Sequence, residues 1–143
     1  MKVGLLRVYL ALLAAAQTQW EAAGGKRNKA NPADPYMTLM GYFNSLRELG
    51  GSRRIVEDEV NSRLTKYGER LRKDEQAGPF LNRKIDEEPE ELTSRVSTNK
   101  IANTKRRLAL PFHDDERVDV ALATNMISVG LDIVRLGLMV VLG

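Results

Sequence analysis

Residues 118–143 read VDVALATNMISVGLDIVRLGLMVVLG, and the fold class turns on this stretch. Val118 to Ala123 alternates as a β-strand, Thr124 to Asp132 is a polar turn, and Leu136 to Leu142 is a continuous apolar run of strand length. Runs of that kind are typical of central strands in a parallel sheet, covered on both faces by helices. A helix would ordinarily follow such a strand, yet Gly143 closes the sequence; the expectation is a fragment of a longer protein.

Upstream, the pattern alternates between strands and helices. Tyr36 to Phe43 (YMTLMGYF) predicts a strand, and Ser45 with Glu48 forms the S-x-x-E capping box of a helix start. Gly50-Gly51 should interrupt that helix, Ser52 can cap a second one, and Val56, Val60, Leu64, Tyr67 and Leu71 continue at helical spacing. Residues 68–90 read as a charged loop, anchored at most by Phe80, Leu81 and Ile85. A short strand around Leu92 to Val96 precedes a capped helix from Ser97 to Leu110, with Ile101 and Leu108 facing inward and Lys105, Arg106 and Arg107 outward. The class is therefore α/β, a parallel sheet flanked by helices.

The first 23 residues combine a lysine, an apolar run and small residues in the manner of a signal peptide. Arg7 divides the run, leaving Val8 to Ala16 as its uncharged core, far short of the ~20 residues that span a bilayer. Leu6, Leu10 and Leu13 with Tyr9 recur at helical spacing and Gly24-Gly25 stops them, which favours a packed helix. Residues 24–35 (GGKRNKANPADP) read as a basic, flexible connection leading to the main unit at 36–143.

Composition narrows the function classes. The chain has 143 residues, no cysteine and one histidine, so disulfides and thiolate metal sites are out, a His-based metal cluster or triad is disfavoured, and a reducing, cytoplasmic setting fits. Its 22 basic residues are nearly matched by 19 acidic ones, giving a net charge of +3 that permits a phosphate-bearing partner without demanding one.

In an open parallel sheet, ligands sit beyond the carboxyl ends of the strands. The residues after Phe43, Val96 and Ala123 are thus the places to look, and the last is richest. A threonine at a strand end offers hydroxyl and backbone N–H to a phosphate, a glycine admits close backbone approach, and a carboxylate accepts from a ribose hydroxyl. The segment ATNMISVGLDI (residues 123–133) resembles the fifth motif of superfamily 2 helicases, in which a strand ends in Ala-Thr and leads to Gly-x-Asp-Ile before a second apolar strand. In the same order, MTLMGYFNS (37–45) is similar to the family's fourth motif, ELTSR (91–95) falls where the next strand reaches the same edge, and residues 103–117 resemble its helix with a basic pair. The phrasing of residues 31–54 and 123–143 further resembles the large helicases of DISARM phage-defence systems.

The resemblance implies a partial second RecA-like domain of an ATP-dependent nucleic-acid helicase or translocase. It implies nucleic-acid contacts, to DNA in the first instance, from Thr124, Asn44, Ser45, Thr93 and Ser94, and nucleotide contacts from Gly130 and Asp132. ATP, with its Mg²⁺, would be held by the N-terminal RecA-like domain of the parent protein, the partner this unit closes upon. Val129 stands where one branch carries an arginine before the glycine, so that branch's nucleotide contact does not transfer. No G-x-x-x-x-G-K-[ST] loop occurs, and Asp58-Glu59 and Asp115-Glu116 lie in a helix and a loop rather than after an apolar strand, so the isolated chain should not hydrolyse ATP. On residues alone, Thr124, Gly130 and Asp132 also suit an ordinary turn, Arg106 and Arg107 a solvated helix face, and the whole pattern a small non-catalytic protein-binding module.

Overall fold

The computed structural model describes residues 2–66, 83–86, 88–124 and 137–142. Helix α1 (Lys2–Ala22) leads to strand β1 (Leu39–Phe43), helix α2 (Leu46–Ile55), a π-helical turn (Val56–Val60) and the short α3 (Asn61–Leu64). Strand β2 (Glu90–Leu92), helix α4 (Thr98–Leu108), β3 (Val120–Ala123) and β4 (Leu138–Leu142) follow. All strand pairs are parallel, in the order β2-β3-β1-β4. Leu39 lies opposite both Val120 and Leu138, and Leu92 opposite Ala123.

Every residue of β1 and β3 is buried because helices cover both sides of the sheet. Leu39 and Phe43 face one way, packing with Leu122 against Leu6, Tyr9, Leu10 and Leu13 of α1 and Leu49, Ile55, Val56 and Val60 of the second helical segment. Met40 and Tyr42 face the other, meeting Leu92, Leu108, Ala121 and Ala123, with Ile101 of α4 against them. Among the described residues no helix is long and apolar enough to cross a membrane.

Several sequence expectations need correction. Gly50-Gly51 does not interrupt α2, which runs through both glycines. Glycine costs about 1 kcal/mol each in a helix interior, but this helix is pinned on either side by buried Leu49 and Ile55. Ser52, expected as a second cap, is instead buried, its hydroxyl 2.5 Å from that of Tyr9 on α1. Residues 24–35, expected to be flexible, fold into two 3₁₀ turns, Gly25–Arg27 and Asp34–Tyr36. Buried Asn31 holds them: its amide donates to the carbonyls of Trp20 (3.0 Å) and Gly25 (3.2 Å), and its Oδ1 accepts from the Ala33 N–H (2.9 Å). The second turn delays β1 from Tyr36 to Leu39, and β2 ends at Leu92 because the chain turns at once, Val96 N–H bonding the Thr93 carbonyl (3.1 Å), before Ser97 caps α4. Of the expected 68–90 loop, Ile85 is buried in the core as foreseen; Tyr67, Leu71, Phe80 and Leu81 lie outside the described residues.

Candidate strand-end site

Because β1, β2 and β3 are parallel, their carboxyl ends emerge at one edge, and the register sets their level. Tyr42 and Leu92 both lie opposite Ala123, so Phe43, Thr93 and Thr124 are next in line on three adjacent strands. Neighbouring strands are about 4.8 Å apart, so segments distant in sequence deliver side chains within reach of one extended ligand.

The predicted residues differ in what they present there. Asn44 is exposed. Ser45 is exposed and caps α2, its Oγ accepting from the Glu48 N–H (3.2 Å) while its own proton stays available to a ligand. Ser94 is exposed and Thr124 half-buried. Thr93 is buried and donates its hydroxyl to Glu91 Oε2 (2.6 Å), so toward a phosphate it has no side-chain proton left. Gly130 and Asp132 lie outside the described residues.

Sequence reasoning missed the charged centre of this edge. Glu91 lies on β2 opposite fully buried Leu122, with its side chain only 5% exposed. A carboxylate there requires partners. It has them in Thr93, in Arg53 of α2 (Nη1 to Oε1, 3.0 Å) and in Arg95, which grips both oxygens through Nε (2.5 Å) and Nη2 (2.8 Å). Hydrogen bonding from Arg95 above all, then from Thr93 and Arg53, holds the Glu91 carboxyl down to about 2 against the burial that would raise it. The legible signal was an acid inside a short strand with an arginine four residues on. Beside this cluster lies an open cavity of about 310 Å³, whose lining includes Arg53, Glu91, Arg95 and Lys100.

The opposite, amino edge of the sheet carries a second buried charge. Arg83 donates from Nη1 to the Leu13 carbonyl (3.0 Å) and from Nη2 to the Met37 carbonyl (2.6 Å), and lies 3.6 Å from Asp119. Phe112 packs under its guanidinium, 5.3 Å from the ring centre, and stacks edge-on against Trp20. Burial lowers the Arg83 pKa to about 10, with Asp119 opposing the shift. These groups join α1, β1 and β3, a structural rather than a chemical task. Arg106 lies on a solvated face, as its spacing suggested, while Arg107 is half-buried, bound to the Glu90 carboxylate and the Glu116 carbonyl.

No protein-family model matches the chain. Over all 143 residues it is 42% identical to the DISARM protein DrmA of Bacillus paralicheniformis. The chain spans 12% of that relative's length.

Proposed function

We propose that this chain is part of the second RecA-like domain of a superfamily 2 nucleic-acid motor of the DISARM phage-defence type, and that its strand-end edge grips one strand of DNA. The observation that carries the reading is the convergence of three strand ends, bearing Asn44-Ser45, Ser94 and Thr124, on one level of a parallel sheet. Full-length likeness to a stretch of a DISARM protein supports the same reading.

In this reading hydroxyl and amide donors along the edge meet successive phosphates. Thr124 adds its side-chain proton where β3 ends, and Ser45 adds its own at the start of α2, where its oxygen caps the Glu48 N–H. Asp132 supplies a carboxylate, and Gly130 a close backbone approach, for the sugar of ATP, whose hydrolysis on the parent's first RecA-like domain would supply the free energy of movement. Closure of the two domains over the nucleotide then changes the grip on the strand.

The test separates the two roles in an enzyme that carries these residues together with a phosphate loop. Thr124→Ala should weaken DNA binding by on the order of 1 kcal/mol and leave the ATP KM unchanged, whereas Asp132→Ala should raise the ATP KM and leave DNA affinity in place. Identical defects in both variants would mark these residues as turn-formers and refute the assignment.

A further inference from the structure

We propose that Arg95 binds a phosphodiester group of the gripped strand and that Glu91 is the positioning residue that orients it; this rests on the strand-end reading above. Glu91 already has a cationic partner in Arg53, so neutralising its buried carboxylate does not call for a second guanidinium. What the second pairing accomplishes is to fix Arg95. Its side chain is half exposed, and a long exposed arginine would otherwise sample many rotamers. The fork onto Glu91 occupies Nε and Nη2 and leaves Nη1 outside the pair. Arginine presents its donors in a rigid plane, so holding two of them aims the third, a preorganisation suited to phosphate.

The surroundings fit an anion on a polymer. Arg95 follows exposed Ser94, three residues past the end of β2, at the edge where the other strand ends emerge. The cavity it lines also takes in Lys100, in the first turn of α4 behind the Ser97 cap. Its acidic lining is partly answered, since Glu90 is bound to Arg107 and Glu91 to the two arginines, which leaves Glu88 as the remaining carboxylate of a lining that also holds Lys100. The cavity is open rather than enclosed, so a strand can pass across it while one phosphate settles against Arg95.

A sign test separates orientation from bulk charge. The 143-residue chain is titrated with a fluorescently labelled single-stranded DNA oligonucleotide over a series of salt concentrations, with thermal melting of each variant recorded alongside. Arg95→Gln should weaken binding about tenfold at low salt and reduce the slope of log affinity against log salt by about 0.7, the share of one phosphate contact to a single strand. Arg95→Lys should keep the slope and still lose affinity. Glu91→Gln removes a negative charge near the phosphate, so charge alone would tighten binding, whereas loss of orientation weakens it; weakening is expected. Tighter binding by Glu91→Gln, or an unchanged slope and affinity in Arg95→Gln, overturns the proposal. If Glu91→Gln proves unfolded, the contrast between Arg95→Gln and Arg95→Lys decides. Wild-type binding that Thr124→Ala weakens but Arg95→Gln does not would refute this inference alone, and no wild-type binding would refute the strand-end reading with it.

Discussion

Replacing Arg83 with methionine should be among the most damaging single changes the chain can suffer. The variant keeps most of the side-chain volume and deletes two hydrogen bonds, to the Leu13 and Met37 carbonyls, together with the partnership with Asp119. Both side chains of that pair are 1% exposed, so water cannot replace what is lost. Removing one member of a buried pair costs about 3–5 kcal/mol. Asp119 retains the Asp86 N–H (3.0 Å) and Arg117 (3.3 Å), which places the cost at the lower end, about 3 kcal/mol. For a chain of this size that corresponds to a fall of about 10 °C in Tm. Urea denaturation of wild type, Arg83→Met, Asp119→Asn and the double variant completes a cycle, and the double variant should be more stable than the sum of the single losses implies by at least 1 kcal/mol. A loss below 1 kcal/mol in Arg83→Met, or strict additivity, would refute the idea that this pair closes the amino edge of the sheet.

Gly137 donates its N–H to the Pro35 carbonyl at 2.7 Å, and a Cβ there would sit 2.8 Å from Tyr36 Cδ1 and 2.9 Å from the Pro35 oxygen. Gly137→Ala should therefore cost about 2 kcal/mol, since the backbone oxygen cannot rotate away; an unchanged melting temperature would contradict that packing. Glu91 titrates near 2 in the folded chain against 4.5 as its ordinary value, so its contribution is complete above about pH 4.5 and is lost as the pH falls toward 2. With half-exposed Arg95 screened by solvent, that contribution is about 2 kcal/mol, and Glu91→Gln should lose less stability than wild type on acidification between pH 5 and 2.5. Parallel acid losses in the two proteins would remove Glu91 from the account.

The parallel sheet was legible because the apolar run at 39–43 has the length and lack of alternation that double-sided burial demands; the run at 138–142, read as a central strand, instead pairs with β1 alone at one end of the described sheet. The caps were equally plain: Ser45 and Ser97 sit where the residue chemistry says helices begin. Gly50-Gly51 misled because local propensity is weak beside the burial of Leu49 and Ile55 on either side. Residues 24–35 misled because their polar composition says nothing of Asn31 turning inward to satisfy three backbone groups. At the candidate site, Ser45, Ser94 and Thr124 could be named from the strand ends, but not the buried Glu91 that takes the hydroxyl of Thr93 and the fork of Arg95. Arg53 lies 38 residues from Glu91 along the chain, and only the packing of α2 over the sheet at β1 and β3 brings them together. Arg83, in a segment that reads as a charged loop, gave no sign that it would be buried beneath α1.

Backbone amide chemical shifts of the chain, mapped as single-stranded DNA is added, report whether the strand ends meet the nucleic acid. Perturbations should concentrate at residues 44–48, 93–97 and 124, around the carboxyl ends of β1, β2 and β3, and fade as salt is raised. Perturbations centred on the basic turn at Lys26, Arg27 and Lys29, with those strand ends unmoved, would contradict a strand-end grip.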